Sequence, residues 1–391
     1  VSVSDLFVGS NSGNTENING KIDQLRVYNT KLNQAAVTQL YNETQATAST
    51  LNFPTGLGGL ALYEFNNNVE NTGENYDGSP SNITFDSFLF KPDLSIIRNM
   101  DSGDPWGWFD TQRGVLERIQ SSSNAAEASL ANSLTEFNNG GFTVGNEESV
   151  NTNNETYTSY NFKMLDNNNN APVQFAAGAN SASRSSLVSA NPSAGMSIVL
   201  LDKPNTNTDT YNHGLSAVPT FIILKKLNAT DDMYLYTPTT GNTSRLSFNN
   251  TNGVIAGSGV WGGTTPTASL FTLQNQSGGA HVAYCFHSVS QFSSFGTYNG
   301  NSGTQTIATG FQPDFLMVKG THASGWRVLD SKRVSGAKKN SLEFQDAGSG
   351  QQTAYASVTF LSTGGFRFDN FSNADFNATN RSYIYWAMKI N

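Results

Sequence analysis

Apolar and polar positions along the chain fall into one phrase that occurs three times. Phe90-Lys91-Pro92-Asp93-Leu94-Ser95-Ile96-Ile97-Arg98 is the first copy. Ala217-Val218-Pro219-Thr220-Phe221-Ile222-Ile223-Leu224-Lys225 is the second, and Phe311-Gln312-Pro313-Asp314-Phe315-Leu316-Met317-Val318-Lys319 the third. Each reads as a turn that ends at proline, then an apolar strand closed by a cation six residues after the proline. A frame follows the phrase. Trp106, Asp110 and Arg113 come after the first copy, and Trp326, Asp330 and Arg333 after the third at the same spacings. The middle copy has Met233 and Thr237 at the Trp and Asp places and lacks the Arg.

A Gly-Gly-Phe strand start comes next, at Gly140-Gly141-Phe142 and Gly364-Gly365-Phe366, with Phe271-Thr272-Leu273 as a weaker match. Each copy then closes on an aromatic strand centred on Tyr160, Tyr284 or Trp386, so that proline and aromatic lie 68, 65 and 73 residues apart. This period is far above that of a solenoid unit, so three copies of one domain are expected, each closing its own core. By strand alternation, Leu94 and Ile96, Phe221 and Ile223, and Phe315 and Met317 are predicted to point into their own sandwiches. On that expectation Tyr284→Ala unfolds its own copy and spares the other two.

Upstream of the copies, Val1 to Gly9 alternates as a strand, and Gly20 to Tyr28 alternates again. Asn33 is placed to cap a short helix with Val37, Leu40 and Tyr41 on its apolar face, the one convincing helix in the sequence. Thr50 to Gly59, with Pro54, Gly56, Gly58 and Gly59, reads as a linker. The expected divisions are 1–50, 51–165 (linker and repeat 1), 166–290 and 291–391. Met196 to Leu201 opens the second repeat and Phe292 to Tyr298 the third, whereas the first lacks a clear opening strand.

Charged residues make up 13% of the chain, about half the usual ~25%. Asn, Ser, Thr and Gly replace them, which suits short strands joined by polar turns. The aromatic share of 11% argues against disorder. A net charge of −8 argues against nucleic acid as a partner. The single cysteine, Cys285, excludes an internal disulfide and sits in an apolar strand phrase as a core residue. No run approaches the roughly 18 apolar residues of a membrane span. The chain starts at Val1 inside a strand-like phrase, which predicts a piece of a longer protein.

Gly20, Ile22, Asp23, Arg26, Val27, Tyr28, Leu40 and Tyr41 resemble the C-terminal part of a laminin-G-like (concanavalin A-like) domain. Residues 60–85 resemble the opening strand and Asn/Asp-rich turn of the same fold. Tyr284-Cys285-Phe286, the run Phe292 to Asn301, and Gly310-Phe311-Gln312-Pro313 resemble a repeat domain of bacteriophage tail and other virion proteins, over roughly residues 85–391. The resemblance implies an all-β chain of tandem antiparallel β-sandwiches of the concanavalin A or jelly-roll kind. It also implies a place at the virion surface, outside the cell, among other virion proteins.

Several residues suit either chemistry or a plain structural role. Asp110 with Arg113 and Asp330 with Arg333 read first as structural pairs at a hairpin, and second as a ligand-binding carboxylate with an orienting guanidinium. Trp261, in a glycine-rich loop, reads first as a plug over the sandwich end and second as a platform for stacking a sugar ring; Trp106 with Trp108, two apart and so on one face if that segment is extended, is a further candidate platform. A calcium site built on Asp23 or Asp77 is the candidate metal centre, and no other cofactor is indicated. The four histidines have no metal-motif spacing. No Glu-x-Asp-x-x-Glu cluster of the glucanase kind is present. Glu147 and Glu148 are adjacent, so on a strand they would face opposite sides.

The expected function is a virion structural and adhesion protein, a fibre, tail appendage or capsid-surface component presenting sandwiches to host-surface glycans. The alternatives are a glycan-degrading depolymerase on the same scaffold and a secreted bacterial carbohydrate-binding array. Sheet edges in need of cover predict a homo-oligomer, a trimer if the protein is a fibre.

Overall fold

The computed structural model describes residues 25–28, 32, 34, 35, 37, 59–63 and 90–390, apart from 167–170, 205–207, 258, 275 and 347. The chain divides into two compact units, Val1–Leu89 and Phe90–Asn391. Gly59–Tyr63, assigned from sequence to repeat 1, lies in the N-terminal unit. In that unit Leu25–Tyr28 pairs antiparallel with Gly59–Tyr63, and Gln34, Ala35 and Val37 are helical where a helix was expected.

The second unit is all-β and antiparallel, built of sandwiches. Each repeat has a main sheet with the same central order. In repeat 1 the closing strand Tyr157–Phe162 lies beside the proline strand Leu94–Asn99, followed by Gly107–Asp110, Glu117–Gln120 and Ala128–Ser129. Repeat 2 runs Gly279–Phe286, Phe221–Lys226, Met233–Tyr236, Ser244–Ser247 and Ile255–Ala256. Repeat 3 runs Ser382–Met388, Phe315–Gly320, Trp326–Asp330, Lys338–Glu343 and Val334–Ser335. Register agrees as well as order. Ile96 faces Tyr160, Ile223 faces Tyr284 and Met317 faces Trp386. Opening strands Met196–Lys203 and Ser293–Asn299 pair with the closing strands of repeats 2 and 3.

The proline strands are buried along their whole length, because both of their faces are covered. One face of each sheet packs on a small second sheet. In repeat 1 that sheet is Leu134–Asn138 with Gly141–Val144. In repeat 2 it is Asp209–Asn212 with Leu270–Leu273, and in repeat 3 Gly365–Phe368 lies between Gln305–Ala308 and Val358–Leu361. These layers enclose a separate core in each repeat, where Ile97, Ile222, Leu224, Leu316 and Val318 point. The Gly-Gly pairs start the second-sheet strands of repeats 1 and 3. Gly140 and Gly364 have φ of 91° and 101°, and Gly141 and Gly365 have 154° and 152°. A Cβ on Gly365 would lie 2.3 Å from the Ile307 carbonyl oxygen, so only glycine fits.

The other face departs from expectation. Leu94, Ile96, Phe221, Ile223, Phe315 and Met317 do share faces, but they do not point into three separate sandwiches. They meet in one hydrophobic cluster fed by all three repeats, together with Tyr160, Tyr284 and Trp386. The expectation that each copy closes its core alone is corrected to one private core per repeat plus one common core. Strand alternation gives which residues share a face; it does not say what covers that face.

Candidate functional site

The residues singled out from the sequence converge on the joins between repeats, and the joins run in one direction. Trp106 of repeat 1 donates its indole N–H to the Glu343 carbonyl of repeat 3, at 2.7 Å, and packs 4.5 Å from Phe344. Trp326 of repeat 3 donates to the Ser247 carbonyl of repeat 2, at 3.0 Å, and stacks 4.1 Å from Phe248. The cations that close the proline strands follow the same direction. Arg98 of repeat 1 bonds the Ser349 carbonyl of repeat 3. Lys225 of repeat 2 bonds the Asn124 carbonyl of repeat 1, and Lys319 of repeat 3 the Thr251 carbonyl of repeat 2. Repeat 1 leans on 3, 3 on 2 and 2 on 1, so the contacts close into a ring.

The two lysines are held without a carboxylate at hydrogen-bond distance. Lys319 Nζ donates to three carbonyl oxygens, those of Thr251, His322 and Ser324. Burial pushes both lysines down to about 8, against the pull of Asp231 and Asp232 on Lys225 and of Asp375 on Lys319.

The Asp/Arg pairs are buried at two of the joins. The Asp110 carboxylate accepts the backbone N–H groups of Gln112 and Arg113 and the Arg113 Nε at 2.5 Å. Asp330 repeats this with Lys332, Arg333 and the Arg333 guanidinium. So far these are turn pairs, as the spacing predicts. The neighbouring repeat adds a third member. Tyr284 of repeat 2 donates its hydroxyl to Asp110 of repeat 1 at 2.7 Å. Tyr160 of repeat 1 donates to Asp330 of repeat 3 at 2.9 Å and accepts from Arg333 at 2.8 Å.

Burial opposes ionisation of Asp330, but the Arg333 charge and the bonds around the carboxylate outweigh it and hold Asp330 below its ordinary value. Burial raises both tyrosines. Each cluster brings a carboxylate, a guanidinium and a tyrosine hydroxyl together across a join; Arg113 also pairs with Glu127 and bonds the Trp108 and Glu117 carbonyls, and Arg333 also bonds Gln351.

The third join lacks this cluster. Trp386 of repeat 3 takes the tyrosine place, and Thr237 and Thr240 of repeat 2 stand where Asp and Arg stand elsewhere. The two threonines bond each other across the turn, and the Trp386 indole N–H is buried with no partner.

The proposed sugar platforms are corrected. Trp106 and Trp108 are fully buried in the common core, and Trp261 is 1% exposed in the private core of repeat 2, against Tyr236. Stacking needs an open ring face, and the private core covers the glycine-loop ring. Asp23 and Asp77 lie outside the described residues. Among the described residues no group of three or more His, Cys, Asp or Glu is placed to hold a metal. Glu147 is at a helix start rather than on a strand; it caps Glu148–Asn151 through the Ser149 N–H. His213 is buried, which lowers it to about 4, and contacts the Thr267 carbonyl oxygen. Cys285 is buried and its thiol is pushed up by burial.

Among the described residues, cavities open at the surface of the second unit include the following. One, of about 310 Å³, lies at the proline turn of repeat 3 beside Asp314 and Lys389, where Asp314 already accepts the Ile390 N–H. The other, of about 160 Å³, lies at the join without a cluster, between Thr237 to Thr239 of repeat 2 and Phe295 to Thr297 of repeat 3. No helix among the described residues is long and apolar enough to cross a membrane.

A family model spans residues 64–390, most of the chain. The chain belongs to the family described as a domain of unknown function, DUF7483. In this DUF7483 chain the family match covers all three repeats and their ring of joins. No curated protein and no solved structure matches it.

Proposed function

We propose that this DUF7483 chain is a structural and adhesive component of a phage virion, a fibre, tail appendage or capsid-surface protein. The observation that carries the reading is where its reactive side chains are used. The Asp–Arg pairs, their tyrosines and the tryptophans Trp106 and Trp326 are committed to joining one repeat to the next. That is the chemistry of a part that must hold its shape under load. The resemblance of the repeats to those of tail and virion proteins gives the setting. The low-charge β surface suits packing against other virion proteins and further copies of itself, with a trimer expected in a fibre.

Mass spectrometry and immunogold labelling of purified particles test the reading. The protein is expected on the particle surface, and incubation with host polysaccharide is expected to retain the polymer without shortening it. Absence from particles, or chain shortening by the purified protein, overturns the reading; the second result makes it a depolymerase.

A further inference from the structure

The joins of repeat 2 on repeat 1 and of repeat 3 on repeat 2 differ in one more way. In the first, Gln112 lies two residues beyond Asp110 and turns its carboxamide across the join. Its Nε2 donates to the Ile198 carbonyl at 3.0 Å and meets Ser189 Oγ at 2.8 Å. In the second, the same place in the turn holds Thr239, which is exposed and too short to cross. The 160 Å³ cleft opens there. Ile198 pairs with Tyr284 and Phe295 pairs with Trp386, so the carbonyl corresponding to the one Gln112 reaches is that of Phe295, which lines the cleft.

The acceptor is turned the right way. Phe292 accepts the Lys389 N–H at its carbonyl, and Gly300 donates its N–H to the Arg381 carbonyl. In step with them, Ser294, Gly296 and Tyr298 face the closing strand, and Phe295 faces the outer edge. In repeat 2 that edge is covered by Ser186–Asn191; in repeat 3 the opening strand is the last strand of its sheet. No charged side chain lines the cleft, and the half-buried Phe295 ring and Pro238 give it apolar walls. Its volume is below the roughly 300–1,000 Å³ of drug-sized pockets, so it admits one ring-sized group.

We propose that this cleft binds the acetamido group of a neutral N-acetylated sugar, in the place that the Gln112 carboxamide fills at the sister join. The amide N–H donates to the Phe295 carbonyl, as the Gln112 Nε2 does to the Ile198 carbonyl, and the pyranose ring rests on Phe295 and Pro238. The assignment rests on the adhesive reading above and gives it a ligand class. A site that bonds an amide discriminates against the analogue lacking it, because its polar groups are then left unpaired.

Ligand-observed NMR on the whole chain, with N-acetylglucosamine, N-acetylgalactosamine, glucose and galactose as probes, tests the assignment. At least one N-acetyl sugar is expected to bind at least about tenfold more tightly than its parent sugar, a difference of about 1.4 kcal/mol from the amide N–H bond and the enclosed acetyl group. Thr239→Gln, which puts the residue of the sister turn into this one, is expected to plug the cleft and cut that affinity at least tenfold. Its thermal unfolding should stay unchanged or rise, and Thr239→Ala should still bind. Equal binding of parent and N-acetyl sugars, no binding by any probe, or full binding by Thr239→Gln overturns the assignment. Such a failure leaves the location on the particle untouched, because that is read by labelling and not by affinity.

Discussion

Two kinds of join hold the three repeats together, and their difference shows what a buried charge does in this fold. Where repeat 2 meets 1 and repeat 1 meets 3, a tyrosine hydroxyl closes an Asp–Arg pair. Where repeat 3 meets 2, a tryptophan faces two threonines and no ion is buried at that place. The register and order of the central strands are the same in all three repeats, so the ring closes with or without the ions. The polar clusters therefore do not create the packing. They fix one partner and one register at each join, since a mispaired repeat would leave an ion buried without its partner.

The largest break in the comparison comes from removing half of a cluster. Asp330→Ala leaves the Arg333 guanidinium buried and uncompensated, and is expected to cost about 3–5 kcal/mol in urea unfolding. Tyr284→Ala is expected to cost a similar ~3–5 kcal/mol through the cavity it opens in the common core. Because that core is shared, the loss should show as one transition for repeats 1 to 3, followed by tryptophan fluorescence and circular dichroism together. Independent loss of repeat 2 alone would return the repeats to separate domains.

A smaller effect separates the two kinds of join directly. Tyr284→Phe keeps the ring and removes the bond to Asp110, for an expected loss of about 1.5–3 kcal/mol, since the acceptor is charged. Trp386→Phe at the third join removes an indole N–H that has no partner, so its whole cost should come from lost volume. A polar penalty at Trp386 equal to that at Tyr284 would erase the distinction.

Acidity gives two further readings, in separate pH windows and of the same sign, with stability rising as pH rises in each. Asp330 is held below its ordinary value, so its contribution is present above about pH 4 and is lost as pH falls through the folded value. Asp330→Asn should flatten that acid limb. Lys225 and Lys319 are lowered to about 8, so the native state binds fewer protons than the unfolded chain above that pH. Stability is then expected to rise from about pH 8 toward 10, until the raised tyrosines reverse it. Denaturant midpoints at fixed ionic strength, with Lys319→Met as the control that flattens the rise, check the sign.

The smallest expected effect is the sharpest comparison. The triple change Thr237→Asp, Thr240→Arg, Trp386→Tyr writes the cluster into the third join. A buried ion pair about breaks even against its neutral replacement, so the change should move stability by no more than about 1 kcal/mol either way.

The sequence by itself determined the repeat. Proline, cation, Asp–Arg turn and closing aromatic lie at spacings that reappear as equal registers, because a strand pair with a fixed side-chain period of two leaves no freedom once the turns are set. The same alternation placed Leu94 and Ile96 on one face. Low charge and frequent turn residues gave the all-β class.

Only the tertiary structure decided what that face meets. Tyr160 finds Asp330 across 170 positions and Tyr284 finds Asp110 across 174. No local pattern encodes a pair so far apart in the chain. The burial of Trp106, Trp108 and Trp261 belongs to the same class, since exposure depends on the neighbouring layer rather than on the strand that carries the ring. The cleft at Thr239 belongs to that class too, since it forms only where the turn of repeat 2 meets the opening strand of repeat 3. Local spacing fixes a strand and its turn; closure of three such units on one another fixes which side chains remain available to a ligand.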